Sequence, residues 1–226
     1  MIMKIRHISP ALCMMCRYRA CYQELPLCKY CLAKFQSILT EKCRVCNKSP
    51  GECECSGEPS HRFMFFYGGY SSRQLMYFIK NNVDDEAMRF IAELAVDATG
   101  LKMSSYDGVA YVPRLPRRAR RYGYDQAMEF AKALSHIYGI PVIHALKRVG
   151  GREQKLLSAS ERRKNIVGRY KLRLDRDMTV RYKKILLVDD IYTTGATMKE
   201  CKRILLDNVA DAVVPFTFAK TNFAKK

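Results

Sequence analysis

The segment Ile185-Leu186-Leu187-Val188-Asp189-Asp190-Ile191-Tyr192-Thr193-Thr194-Gly195-Ala196-Thr197 constrains the fold of this 226-residue chain more than any other stretch. Four consecutive apolar residues predict a strand buried on both faces, as in the interior of a parallel sheet. Two adjacent carboxylates stand where that strand should end, and a hydroxyl-rich loop with one glycine leads into a helical pattern. In open α/β sheets, ligands bind outside the carboxyl ends of the strands. A threonine-rich loop entering a helix N-terminus presents backbone N–H groups, hydroxyl donors and a favourable dipole to a phosphate. The aspartates repel a phosphate but suit the hydroxyls of an attached sugar, or a Mg²⁺ held indirectly. Sugar diol plus phosphate reads as a ribose 5-phosphate. An ordinary βα turn gains nothing from this acidic pair. The chain carries no Gly-x-x-x-x-Gly-Lys-Ser/Thr loop, and no Gly-x-Gly-x-x-Gly follows a strand.

The thirteen-residue run resembles the signature of type I phosphoribosyltransferases, which bind phosphoribosyl pyrophosphate (PRPP). That resemblance implies a parallel sheet flanked by helices. It also implies roles for individual residues. Asp189 and Asp190 would take the ribose hydroxyls and steady the cation that develops at carbon one. The run Tyr192, Thr193, Thr194, Gly195, Ala196 and Thr197 would line the substrate site, the last five holding the 5-phosphate.

Ten cysteines set a second constraint. Nine lie before residue 56, and eight of these form close pairs: Cys13 with Cys16, Cys28 with Cys31, Cys43 with Cys46, and Cys53 with Cys55. Nothing else suggests secretion, so the pairs read as zinc knuckles rather than disulfides. Eight thiolates suffice for one or two structural Zn²⁺. Sequential sites are expected, with Cys13, Cys16, Cys28 and Cys31 on one metal and Cys43, Cys46, Cys53 and Cys55 on the other. A cross-braced arrangement is the alternative. Residues 1–60 are expected to form this module and its linker, and residues 61–226 the phosphoribosyltransferase-like domain. A segment so short and polar should draw its folding energy from metal. Cys21 reads as a spare thiol and Cys201 as core.

The formal net charge is +18. Sixteen Lys or Arg stand against four acids between Pro113 and Arg173. Such clustering favours a polyanion such as pyrophosphate or nucleic acid. No stretch approaches the ~20 apolar residues of a membrane span, and the N-terminus does not read as a signal peptide, so a cytoplasmic protein is expected. Along the remainder, the pattern predicts strands at Phe63–Tyr67, Gly108–Pro113, Pro141–Ala145, Ile185–Val188 and Ala212–Phe218. Helices are expected after Ser71 or Ser72, after Asp84 or Asp85, from Gln126 to about Tyr138 capped by Asp125 and stopped by Gly139, and from Thr197 to Asp207. Strands alternating with helices imply a mostly parallel sheet. His136 and His144 read as packing residues.

Two basic segments complete the pattern. One runs from Val112 through Arg114, Arg117, Arg118, Arg120 and Arg121 to Gly123-Tyr124-Asp125-Gln126, leaving a strand and entering a helix. The other, Lys147 to Gly168, carries Gln154-x-x-Leu157-Ser158-x-x-Glu161-Arg162-x-x-Asn165-x-x-Gly168 and reads as a closing flap. With the cysteine pairs and the signature run, these segments resemble the ComF (ComFC-like) family across nearly the whole chain. Tyr122, Asp125 and Gly151 depart from that family's usual Arg, Asn and Thr. The resemblance implies transfer of ribosyl phosphate from PRPP with release of pyrophosphate, an unnamed acceptor, and a link to natural competence and DNA uptake. Arg114, Arg120 and Arg121, together with Mg²⁺, would stabilise the pyrophosphate. The competing expectation is a catalytically silent PRPP sensor whose zinc module and arginines contact single-stranded DNA or a DNA-uptake helicase or processing protein.

Overall fold

The structure is a computed structural model. It describes residues 12–13, 15–18, 27–58, 60–81, 85–115, 125–149, 168–173 and 181–221. Arg120, Arg121, Cys21 and most of the expected flap lie outside these residues.

The elements in chain order are α1 (Lys29–Leu39), β1 (Arg62–Tyr67), α2 (Tyr70–Asn81), α3 (Asp85–Thr99), β2 (Gly108–Tyr111), α4 (Gln126–Tyr138), β3 (Val142–Ile143), β4 (Leu146–Arg148), β5 (Tyr170–Leu172), β6 (Tyr182–Tyr192), α5 (Ala196–Asn208) and β7 (Ala210–Thr221). Five strands form one sheet in the order β1-β7-β6-β2-β3, with every neighbouring pair parallel. The chain therefore forms a parallel sheet flanked by helices, preceded by a cysteine-rich module.

β6 lies at the centre between β2 and β7, so its backbone groups are paired on both edges. Its side chains alternate between the sheet faces. Leu186 and Val188 enter the core built with α1, α2, α3 and α4, whereas Ile185 and Leu187 enter the core built with α5. From β2 the chain passes through α4 to β3 on one side; from β6 it passes through α5 to β7 on the other. The direction of winding thus reverses between β2 and β6, which is where an open α/β sheet leaves a crevice at its carboxyl edge.

β6 and β7 run longer than their apolar stretches predict, because Tyr182 to Tyr192 pairs with Ala210 to Lys220 along almost its whole length. Asp189 and Asp190 therefore belong to the strand itself. The antiparallel pair β4–β5 stands apart from the main sheet. α2 starts at Tyr70, earlier than the serine-cap reading, and Ser72 accepts from Gly68 N from within the first turn. His136 is exposed, and His144 Nδ1 pairs with the Tyr111 hydroxyl at 3.0 Å, so neither is a core packing residue.

The cysteine-rich module does not stand on its own core. Phe35 and Ile38 of α1 are buried together with Cys13, Leu27, Cys28 and Cys31 in the same cluster as Met64, Phe65 and Phe130. Burying a phenylalanine or isoleucine contributes about 1.5–3 kcal/mol each. The main body therefore supplies apolar stabilisation that the sequence reading left to metal alone.

Candidate functional site

Asp189 reaches the carboxyl end of β6 beside Thr217, its register partner on β7. Both line a solvent-open cleft of about 250 Å³ with Thr193, Thr194, Gly195 and Thr197. The turn is built on Gly195, whose φ of +74° lies in the left-handed region that favours glycine. A Cβ there would also overlap the Tyr192 phenol. From this residue α5 begins, so the unpaired N–H groups of its first turn open onto the cleft. Thr193 and Thr194 are exposed, and Thr194 Oγ1 lies 3.5 Å from Ala196 N. The cleft thus offers hydroxyls and helix N–H groups on one side and a carboxylate on the other.

The two acids point different ways. Asp189 Oδ1 accepts from Asp190 N at 2.8 Å and keeps an opening to the cleft. Burial, reinforced by the neighbouring Asp190 charge, pushes its carboxyl well above the usual carboxylate range. Asp190, one residue on, is absent from the cleft lining and pairs with Lys80 at 3.0 Å and Arg114 at 3.3 Å. Lys80 comes from the last turn of α2 and was given no role by the sequence.

Arg114 is held from both ends. Its guanidinium reaches Asp190, and its backbone N–H donates to Asp125 Oδ2 at 2.8 Å. Asp125 also accepts from Ala127 N and so caps α4, as expected. Burial raises its carboxyl pKa, against the lowering effect of these N–H donors and Arg114. One buried aspartate thereby ties together the two ends of the arginine-rich 116–124 segment.

Tyr192 lines the cleft and also has partners behind it. Its side chain is buried, and its hydroxyl donates to Ser56 O at 3.1 Å. Burial pushes its pKa up to about 12, so it remains a neutral donor. Its ring lies 4.3 Å from that of His61. The Thr217 hydroxyl donates to Ala219 O, so His61 Nε2 carries the proton in its 3.0 Å contact with Thr217. Burial, with Lys220 and Arg62 nearby, pushes His61 down to about 3 and keeps it neutral. Tyr192 therefore lines the cleft and braces the loop through Ser56 and His61. His61, Thr217 and Ser56 gave no sequence signal, since only the fold brings them to residue 192.

The cysteines assemble into two quartets, Cys13/Cys16/Cys28/Cys31 and Cys43/Cys46/Cys53/Cys55, with all sulfurs of each within 4.8 Å of one another. Tetrahedral zinc with Zn–S bonds of about 2.3 Å sets sulfurs about 3.8 Å apart. The Cys16–Cys28 and Cys46–Cys53 separations are 3.9 and 3.8 Å, so the donor sets fit. The sequential grouping is the one found. In the second quartet, burial opposes ionisation of Cys43, but N–H groups from Cys46 and Val45 outweigh it and hold the thiol at about 7. Burial and the adjoining sulfurs push Cys53 up to about 12. A cation is needed to ionise all four together. Among the described residues these quartets are the only groups of three or more metal-ligating side chains. No described helix is long and apolar enough to cross a membrane.

A five-stranded parallel sheet, a threonine loop at its winding reversal and two cysteine quartets define a parallel α/β protein with a zinc-compatible N-terminal module. By sequence it is similar to the ComF competence proteins. It is 26% identical to competence protein ComFC of Streptococcus pneumoniae over 204 residues, covering 86% of this chain and 87% of that one. It is 29% identical to competence protein F of Haemophilus influenzae over 192 residues, covering 81% and 80%. It is 25% identical to the DNA utilization protein YhgH of Salmonella typhimurium over 229 residues, covering 94% and 98%. No family model matches the chain. Among solved structures, the adenine phosphoribosyltransferase of Leishmania tarentolae overlaps with a TM-score of 0.38 and 12% identity, covering 64% of this chain and 74% of that one. A hypothetical protein from Neisseria gonorrhoeae with bound ppGpp overlaps with a TM-score of 0.34 and 17% identity, covering 71% and 76%.

Proposed function

We propose that the cleft binds the ribose 5-phosphate half of PRPP and that the protein transfers the ribosyl phosphate group to an acceptor. The observation that carries this reading is the left-handed Gly195 turn opening α5 beside Asp189 at the winding reversal of the sheet. Thr193 to Thr197 would hold the 5-phosphate through hydroxyl and N–H donors. Asp189 would accept from the ribose hydroxyls and oppose the positive charge that develops as the C1–O bond breaks. Pyrophosphate leaves with the bonding electrons, and the acceptor forms the new bond at C1 as it gives up a proton. Asp190 would not touch the ribose. It holds Lys80 and Arg114 ready, and pyrophosphate oxygens would compete with it for both cations. Arg120 and Arg121 are assigned to the same anion, and Mg²⁺ would travel with it.

Zinc in each quartet would fold the cysteine segments and take no part in transfer, since each quartet already supplies a full tetrahedral set. The relatives named for competence and DNA utilization support a role in DNA uptake. The test is release of pyrophosphate from Mg²⁺-PRPP across a panel of amine, nucleobase and nucleic-acid acceptors. Turnover in wild type, with a drop of at least about 100-fold in Asp189→Asn, is expected. Equal turnover in both proteins would refute the assignment.

A second reading, PRPP sensing coupled to single-stranded DNA, is favoured by one surface feature. Tyr70 and Tyr77 are 73% and 71% exposed on α2, and Lys34 of α1 lies 6.0 Å from the Tyr70 ring centre. Exposed rings among cations suit stacked bases. Salt-dependent binding to single strands without pyrophosphate release would select this reading.

A further inference from the structure

The two cysteine quartets differ in what they touch. The first packs with α1 in the core shared by α2, α3 and α4. The second forms a separate cluster at the edge of the sheet, where Cys43 and Cys53 pack with Phe63 and Phe66 of β1. The chain leaving its last ligand is fastened to the elements that build the cleft. Ser56, one residue past Cys55, accepts the Tyr192 hydroxyl at 3.1 Å. Glu58, almost fully buried, pairs with Lys202 of α5 at 2.6 Å. His61 stacks on Tyr192 and pairs with Thr217. Lys220, buried near the end of β7, reaches Cys53 Sγ at 3.6 Å.

Each fastening lands on a part of the cleft or directly behind it. Tyr192 fills the space under Gly195, Lys202 lies in the helix whose first turn faces the ligand, and Thr217 lines the cleft with Asp189. We propose that the Cys43/Cys46/Cys53/Cys55 site is the foundation of the ligand loop. Metal there fixes Cys53 to Glu58, and Tyr192 is the positioning residue that passes this order to Thr193–Thr197. The first quartet has no such link among the described residues. Filling the two sites therefore has unequal effects: the second sets ligand affinity, the first serves the α1 face.

The affinity half of this inference rests on the ribose phosphate reading of the loop; the mechanical half does not. Amide hydrogen exchange of peptides spanning residues 190–199 tests the mechanical half, and titration with ribose 5-phosphate tests the other. The zinc-loaded wild type is compared with Tyr192→Phe, Cys55→Ser and Cys16→Ser. Tyr192→Phe removes one hydrogen bond, so loop exchange should quicken and ribose 5-phosphate should bind about three- to ten-fold more weakly. Zinc content and exchange elsewhere should stay as in wild type. Cys55→Ser should lose one zinc and quicken loop exchange by at least about ten-fold. Cys16→Ser should also lose one zinc while leaving loop exchange unchanged. Unchanged loop exchange in Tyr192→Phe overturns the proposal, whether or not Cys55→Ser folds. So does a Cys16→Ser effect on the loop equal to that of Cys55→Ser. If wild type fails to bind ribose 5-phosphate, the ligand reading falls, and the exchange data still decide the brace.

Discussion

Asp189 and Asp190 are neighbours in sequence with opposite electrostatic situations. Asp190 sits between two cations on one side of β6, and Asp189 is half-buried at the cleft on the other, with Asp190 the charge that acts on it most strongly. A carboxyl whose folded pKa is raised keeps its proton in the native state where the unfolded chain has already lost it. Its contribution to stability is complete at low pH and is lost as pH rises through the elevated folded value. At neutral pH and above, Asp189 therefore weakens the fold. Asp189→Asn retains the oxygen that accepts from Asp190 N and removes the titration. Calorimetry across pH should show the variant melting about 2–6 °C above wild type at pH 8, with the gap closing toward pH 4. A variant melting below wild type at pH 8 would mean that its surroundings stabilise the charged form of Asp189, contrary to the raised carboxyl. A group that strains the fold and faces a cleft is a group positioned for a ligand.

At the level of elements, α4 shows what local chemistry makes legible. Asp125 before the helix and Gly139 after it were readable as cap and stop. The structure shows Asp125 accepting from Ala127 N and Gly139 at a φ of 69°. The second Asp125 bond, to Arg114 N, spans eleven positions and carries no periodic signal. Asp125→Ala should lower unfolding free energy in denaturant by about 1–3 kcal/mol, more than a cap alone, because it also orphans the Arg114 N–H. A loss below about 0.5 kcal/mol would show the clamp to be slack. β6 was legible by its four apolar residues, but its full span depends on β7, whose pairing continues past Asp189 to Lys220. α1 escaped the sequence reading because its cysteines drew attention from Phe35 and Ile38, which belong to the main core. Lys80, Ser56, His61 and Thr217 were invisible for the same reason as the second Asp125 bond. Their partners lie far along the chain, and neither hydrophobic period nor spacing encodes them.

Across the whole molecule, the sheet carries different equipment on its two faces. Helices α1 to α4 and the first cysteine quartet cover one; α5 and the β4–β5 pair cover the other, with the second quartet against the edge strand β1. The ligand loop stands at the carboxyl edge between β6 and α5, with Asp189 in the cleft and Asp190 holding Lys80 and Arg114. Native mass spectrometry should give two zinc ions per chain, one lost in Cys16→Ser and the other in Cys55→Ser; a single zinc in wild type would contradict two closed tetrahedral sites. Calorimetric titration of the zinc-loaded protein with Mg²⁺-PRPP tests the central claim most directly, run beside Gly195→Ala, where an added Cβ must displace the Tyr192 ring. One saturable site per chain in wild type, lost in the alanine variant, is the predicted result. No heat of binding in wild type, or equal binding in the variant, would show that the threonine loop does not hold a sugar phosphate.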